Sequence, residues 1–217
     1  MLGGRNLKAI IEKAIDGKYE ELSTKIDKAN SDKIHAAEAV NCTRLAYYER
    51  RDPLPSDTSG KVSIFLDQGM RKSLGNIRAE YKVDSFSLVV DADMVIGDEF
   101  VARFIVSPSL PDVPNPRDML YLNACLFALG KEEGFLIYIT AAGETTEFSI
   151  SKNNRMFEEA MRRARVLSAL LKDGKVPIVE PSEYCTTCKY FERCYMREKI
   201  KESGSSFLED IFGKGSK

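Results

Sequence analysis

The chain has 217 residues, of which 43% are hydrophobic, so it is long enough and apolar enough to fold around a core of its own. Its 32 basic and 33 acidic residues give a net charge of −1, which argues against a protein that coats polyanions over its whole surface. No apolar run reaches the roughly 20 residues that span a bilayer, and the N-terminus lacks the apolar region of a signal peptide. We therefore expect a cytoplasmic protein with no membrane partner.

The predicted elements alternate between helices and strands. Apolar residues at helical spacing predict helices over 5–29, 33–50 and 63–75. Segments rich in Val, Ile and Phe then predict strands over 78–84, 86–96 and 99–107. A proline-rich loop at 107–116 leads to a helix over 117–130, a hairpin of strands over 135–141 and 144–150, and a long helix over 154–172. This order predicts an α/β fold with a mixed central β-sheet flanked by helices.

Four cysteines form the most informative pattern. Cys185, Cys188 and Cys194 follow a C-x2-C-x5-C spacing, and Cys42 stands alone near the start of the chain. In a reducing compartment, clustered thiols indicate metal ligands rather than disulfides, and four thiolates suit either zinc or a [4Fe–4S] cluster. A shared cluster would join the N-terminal and C-terminal segments of one domain. Cys125 lies on an apolar helix and is expected to be a core residue.

These residues resemble one family, the iron–sulfur RecB-like exonucleases of CRISPR adaptation, the fourth of the Cas protein families. The resemblance rests on Asn41-Cys42-Thr43-Arg44-Leu45-Ala46-Tyr47-Tyr48 for an early C-x-R-x-x-Y element and on the late cysteine trio, and it covers roughly 33–196. It implies a restriction-endonuclease-like core of the PD-(D/E)xK type and a [4Fe–4S] cluster bound by Cys42, Cys185, Cys188 and Cys194. Zinc remains the alternative, because spacing alone does not separate the two metals.

The resemblance also implies an active site that binds Mg²⁺ or Mn²⁺ through hard oxygen ligands. Asp93 matches the family's aspartate. The family's Glu-x-Lys falls on Arg103 and Ile105, of which the first repels a divalent cation and the second cannot replace a lysine.

The remaining positions of the family pattern also differ. Lys72 stands at the likely position of the family's histidine, and Tyr121 and Cys125 stand where the family has Gln and Tyr. With Tyr121 and Cys125 counted as one pair, four of the five family positions carry residues unsuited to the chemistry. This predicts a catalytically degenerate relative in which Asp93 is vestigial.

Two further sets of residues are weaker catalytic candidates. Glu80-Tyr81-Lys82 is a literal Glu-x-Lys, although it precedes Asp93 whereas the family motif follows it. His35 is the only histidine and is expected to be a packed or surface residue rather than a ligand.

DNA contact remains possible without catalysis. The resemblance implies binding of single-stranded DNA, and the candidate phosphate contacts are Arg44, Arg51, Arg71, Lys72 and Arg103. The replacements Lys72 and Arg103 would make the old metal site more positive, so that it binds phosphate directly. Ordinary solvated surface charge is the alternative.

The end of the chain is predicted to be a separate segment. We expect one domain over 1–203 and a flexible tail over 204–217, which begins with Gly204-Ser205-Ser206. Leu208, Ile211 and Phe212 lie on one side of a helical turn and partly resemble a peptide that docks on the sliding clamp of replication. Docking on another partner or on its own domain stays open.

Together these patterns favour a non-catalytic iron–sulfur accessory subunit that binds DNA during replication, repair or CRISPR adaptation. Two alternatives stay open: an active metal-dependent exonuclease of single-stranded DNA, and a zinc-stapled interaction module.

Overall fold

The computed structural model describes residues 7–22, 26–55, 58–83 and 85–195. The chain divides into two compact units, Met1–Pro177 and Ile178–Lys217. The expected boundary after residue 203 lies outside the described residues.

The first unit contains six helices and seven strands among its described residues. The helices are α1 (Leu7–Leu22), α2 (Ala36–Val40), α3 (Thr43–Arg51), α4 (Thr58–Leu74), α5 (Pro116–Leu129) and α6 (Asn154–Asp173). The strands are β1 (Lys33–His35), β2 (Ile77–Val83), β3 (Phe86–Ala92), β4 (Met94–Ile96), β5 (Phe100–Val106), β6 (Glu133–Ile139) and β7 (Thr145–Ser151). The second unit begins with a short 3₁₀ helix, Glu183–Thr187.

The strands form two mixed sheets rather than the one that the sequence predicts. In the first, the order is β1-β3-β2, with β1 parallel and β2 antiparallel to the central strand. In the second, the order is β4-β5-β6-β7, with only β5 and β6 parallel. The predicted strand over 86–96 is interrupted at Asp93, which separates β3 from β4 and so lies at the junction of the two sheets.

Helix α5 lies at the centre of the core. It contacts strands of both sheets, and its residues 121–126 are all buried. The Asn115 side chain caps its first turn by accepting the Arg117 N–H at 2.9 Å, and Pro116 takes the first helical position. Gly130 ends the helix in the left-handed conformation (φ 65°), which a residue without a Cβ adopts easily. These bounds confirm the helix predicted over 117–130.

The helix predicted over 33–50 is wrong in its first half. Residues 33–35 form strand β1 instead, in parallel register with β3, and Ile34 is fully buried there. Burial in the sheet therefore outweighs the helical periodicity of this segment. The rest divides into α2 and α3, and Cys42 is the N-cap residue of α3 rather than a residue inside a helix.

The helix predicted over 5–29 is too long. Helix α1 ends at Leu22, and 26–32 is a loop. Asp27 and Asn30 explain the loop, because each side chain accepts a backbone N–H two residues on, at 3.2 and 3.0 Å. Such local bonds compete with helix hydrogen bonds.

A buried ion pair fixes the start of the first sheet. Arg50 donates to both carboxylate oxygens of Glu38 at 2.6 Å, and the Glu38 carboxylate in turn accepts the backbone N–H of His35 at 2.9 Å. Arg50 also donates to the carbonyls of Asn30 and Lys33. The two helices α2 and α3 are thereby tied to the strand that precedes them.

Within the described residues, none of the helices combines the length and apolar character needed to cross a bilayer.

Candidate functional site

Asp93 is the carboxylate around which the candidate site is built. It is 1% exposed, and its Oδ2 accepts the backbone N–H of Phe104 at 2.7 Å. Burial raises the pKa of Asp93, while the nearby Arg71 and Arg103 and the Phe104 amide each act to lower it. Because the ionised form is costly in such a place, the two guanidinium groups are its main electrostatic support.

Arg71 reaches this carboxylate from α4. Its Nε lies 3.5 Å from Oδ1 of Asp93, and its Nη2 lies 3.0 Å from Oδ1 of Asp67, one helical turn earlier. The Arg71 side chain is 13% exposed. It therefore bridges two carboxylates, one of which is buried.

Arg103 enters the same region from the centre of the second sheet. Its guanidinium lies 3.8 Å from the centroid of the Tyr121 ring, a cation–π distance. Its Nε lies 3.9 Å from Oδ1 of Asp118, too far for a hydrogen bond, and Oδ2 of Asp118 accepts the hydroxyl of Tyr138 at 2.9 Å. The Arg103 side chain is 12% exposed.

Four buried polar atoms of these residues lack a hydrogen-bond partner within the described part of the chain. They are Oδ1 of Asp93, Nε of Arg71, and Nε and Nη1 of Arg103. Three are donors and one is an acceptor. Nε of Arg71 and Oδ1 of Asp93 face each other at 3.5 Å without forming a hydrogen bond. Because buried polar groups are normally satisfied, the two Arg103 donors indicate a place for water or a ligand.

Positive charge beside Asp93 works against a metal ion. A divalent cation would need several oxygen ligands, and it would meet Arg71 and Arg103. In the described ranges, no group of three or more His, Cys, Asp or Glu side chains is arranged to hold a metal ion. The arrangement is instead that of a carboxylate neutralised by guanidinium groups.

Tyr121 and Cys125, both on α5, line the same region as packed residues. The Tyr121 hydroxyl donates to the carbonyl of Asp91 at 2.8 Å. Cys125 is buried, and burial raises the pKa of its thiol to about 12, so it stays protonated. A buried, protonated thiol suits the core position that the sequence predicts.

The two other sequence candidates lie in the first sheet. Glu80 forms an ion pair with Lys33 at 3.3 Å, and Lys82 follows on the same face of β2. His35 is 7% exposed, with its Nδ1 3.7 Å from Oδ2 of Asp91. It is therefore a packed histidine.

The other basic candidates differ in exposure. Arg44 is only 4% exposed, which leaves it little surface for a ligand. Arg51 is exposed and donates to the carbonyl of Leu171, and Lys72 is exposed and donates to the carbonyl of Glu21 at 3.0 Å.

The cysteines are distributed over both units. In the first unit, Cys42 is half-buried at the start of α3. In the second unit, Cys185, Cys188 and Cys194 are half-buried, and Sγ of Cys185 accepts the backbone N–H of Ser182 at 3.3 Å. The tail residues Leu208, Ile211 and Phe212 lie outside the described residues.

Sequence reasoning missed the acidic partners of the arginines. Asp67 lies four residues before Arg71, the spacing at which helix side chains pair, so this partner could have been found. Asp118 lies in the first turn of α5 and meets Arg103 only through the tertiary fold.

Comparison with known proteins gives matches in structure only. No protein-family model and no curated protein sequence matches the chain. The crystal structure of SSO0001 matches with a TM-score of 0.59 at 20% identity, over 86% of this chain and 96% of that chain. The crystal structure of a candidate exonuclease from Eubacterium rectale matches with a TM-score of 0.53 at 11% identity, over 88% of this chain and 100% of that chain. The chain therefore shares its α/β fold with these two proteins.

Proposed function

We propose that this protein is a catalytically silent nuclease-fold subunit that binds single-stranded DNA and assists DNA processing in the cytoplasm. The observation that carries the proposal is the pairing of buried Asp93 with Arg71 at 3.5 Å, with Arg103 nearby. Where a metal-dependent nuclease needs cations, this chain supplies guanidinium groups.

Catalysis by metal-activated water would fail here for two reasons. The positive charges of Arg71 and Arg103 raise the free energy of a divalent cation next to Asp93. The position at which the resemblance implies a water-orienting lysine is Ile105, whose side chain has no polar atom. Asp93 alone cannot assemble the ligand set that Mg²⁺ or Mn²⁺ prefers.

A [4Fe–4S] cluster bound by Cys42, Cys185, Cys188 and Cys194 completes the proposal. The chemistry of the donor set supports it, since these are four soft sulfur ligands. The described residues do not hold three such side chains in a metal-binding arrangement, so the cluster would have to draw the cysteines together. The cluster would act as a structural tie between distant parts of the chain, not as a catalyst. Zinc in the same ligand set is the alternative.

DNA binding is supported by exposed basic side chains. Lys72 is exposed on the same helix as Arg71, and Arg51 is exposed at the end of α3. Contacts to phosphates depend on such side chains and weaken as salt rises. The tail would add a protein contact, with the sliding clamp as its proposed partner.

The experiment that tests this function is a nuclease and binding assay on anaerobically purified protein. Labelled single-stranded DNA is incubated with the protein and Mn²⁺, and its length is followed on a denaturing gel, next to Asp93→Ala as the control. We expect salt-sensitive binding without shortening of the DNA. Shortening that disappears in Asp93→Ala would establish the alternative, an active exonuclease.

A further inference from the structure

The guanidinium of Arg103 is the least well partnered charge in the described core. Its Nε and Nη1 are buried and have no hydrogen-bond acceptor among the described residues. Its ion-pair partner Asp118 is 3.9 Å away and already accepts a hydrogen bond from Tyr138. The fold therefore holds a cation in place without using these two donors.

The position of this guanidinium is set by packing. The Tyr121 ring lies 3.8 Å beneath it, and the Tyr121 hydroxyl is itself fixed by two hydrogen bonds to the backbone of Asp91. A planar guanidinium held against a ring loses little further freedom when its edge binds a ligand. The site is thus organised before any ligand arrives.

Arg71 adds a third donor beside Asp93. Its Nε is buried and lies 3.5 Å from Oδ1 of Asp93 without a hydrogen bond, and its Nη2 is paired with Asp67. An unsatisfied buried donor destabilises the folded protein, so a ligand that supplies acceptors recovers stability on binding. Three donors from two arginines match a group with several oxygen acceptors better than a single carbonyl.

We propose that Arg103 and Arg71 form a metal-free binding site for an oxyanion, and that its ligand is a phosphate group of single-stranded nucleic acid. This rests on the proposed function, because it assigns DNA contact to the former metal position. A fork of guanidinium donors is the side-chain arrangement that best fits tetrahedral phosphate oxygens. The Arg103 side chain is 12% exposed while its Nε and Nη1 are themselves buried, so binding requires a local movement that uncovers these two donors.

Asp93 is the charge that opposes this ligand. Its Oδ1 lies 3.5 Å from Nε of Arg71 and competes with the anion for that donor. Removing the charge in Asp93→Asn must therefore tighten binding of phosphate, whereas a phosphate bridged by a metal ion on Asp93 would be lost. Tighter phosphate binding in Asp93→Asn therefore indicates a metal-free site, and lost binding indicates a metal-bridged one.

The test measures affinity in the presence of EDTA, for inorganic phosphate by calorimetry and for a labelled single-stranded oligonucleotide by fluorescence anisotropy. The variants are Arg103→Gln, Arg103→Lys and Asp93→Asn. Arg162→Gln is the matched control, since Arg162 is an exposed arginine paired with Glu159 on α6. Circular dichroism and thermal melting confirm that each variant is folded.

We expect Arg103→Gln to weaken both ligands on the order of tenfold to a hundredfold, the range that hydrogen bonds to charged groups contribute. Arg103→Lys, which keeps the charge but loses the fork, weakens them less, and Asp93→Asn tightens them. If Arg103→Gln does not fold, the other two variants provide the test: Arg103→Lys should weaken the binding of both ligands, and Asp93→Asn should tighten it.

Unchanged affinity in Arg103→Gln would show that the unsatisfied donors bind water only, and would overturn the proposal. Loss of binding in Asp93→Asn would overturn it too. An effect confined to inorganic phosphate would support the oxyanion site and overturn its assignment to nucleic acid. If the oligonucleotide still binds without Arg103, this inference fails while DNA binding by the protein stands.

Discussion

Nε of Arg71 lies 3.5 Å from Oδ1 of the buried Asp93, so a guanidinium faces the carboxylate that would otherwise be open to a metal ion. Arg103 adds a second positive charge from another element, β5. Together they turn a potential cation site into an internally neutralised one.

Reversing the charge at position 103 is expected to create affinity for a divalent cation beside Asp93. In Arg103→Glu the new carboxylate joins Asp93 and Asp118, so that oxygen ligands replace a positive charge. Thermal melting with and without Mn²⁺ measures this, because a ligand at one hundred times its Kd stabilises the folded state by about 2.7 kcal/mol. We expect Mn²⁺ to raise the Tm of Arg103→Glu and to leave that of the wild type and of Arg162→Glu unchanged. An equal shift in Arg162→Glu would mean non-specific binding.

Gly134 is expected to be required by the contact between β5 and β6. A Cβ at this position would lie 2.6 Å from the carbonyl oxygen of Val101 and 3.1 Å from Cδ1 of Leu122. Gly134→Ala should lower the free energy of unfolding by about 1–3 kcal/mol, because a backbone atom cannot move aside easily. Urea denaturation gives the value.

The matched control for Gly134→Ala is Gly17→Ala, on the exposed surface of α1. A Cβ there meets nothing within 4 Å. Since alanine favours a helix over glycine by about 1 kcal/mol, Gly17→Ala should be neutral or stabilising. A loss of stability at Gly17 as large as that at Gly134 would contradict the steric explanation.

The cysteine proposal predicts which thiols carry the cluster. Cys188→Ser should lose most of the iron, the acid-labile sulfide and the broad visible absorption of anaerobically purified protein. Cys125→Ala should keep all three, because Cys125 is buried in the core of the first unit and its thiol stays protonated. Metal analysis that finds zinc and no sulfide in the wild type would favour the zinc-stapled alternative.

The tail proposal predicts a protein contact that does not depend on DNA. A replication sliding clamp should be retained by the full chain after nuclease treatment, and the double variant Leu208→Ala, Phe212→Ala should lose it. The variant Ser216→Ala, in the same tail but outside the apolar segment 207–212, is the control. Equal retention by all three proteins would remove the clamp as a partner of these residues.

The sequence was sufficient where local chemistry decides the structure. The ends of α5 and α6 follow from an asparagine cap at one end and a left-handed glycine at the other, Gly130 and Gly174. The hairpin of β6 and β7 likewise follows from alternating residues around Gly143.

The sequence does not predict the structural features that depend on contacts between distant segments. Strand β1 is only three residues long and exists because Ile34 pairs with Leu88 on β3, a contact that no local pattern encodes. The position of Asp93 after an apolar strand identifies it from the sequence, yet its contact with Arg71 depends on how α4 packs beside the second sheet. The degenerate pattern predicts positive charge near Asp93 but not which donors stay unsatisfied.

The most direct test of the central claim is whether the wild-type protein binds Mn²⁺ at Asp93. Electron paramagnetic resonance measures the free Mn²⁺ signal as protein is added, with Asp93→Ala titrated in parallel. We expect the signal to change no more with the wild type than with Asp93→Ala. A loss of free Mn²⁺ that occurs with the wild type and is absent in Asp93→Ala would show a metal at Asp93 and contradict a catalytically silent site.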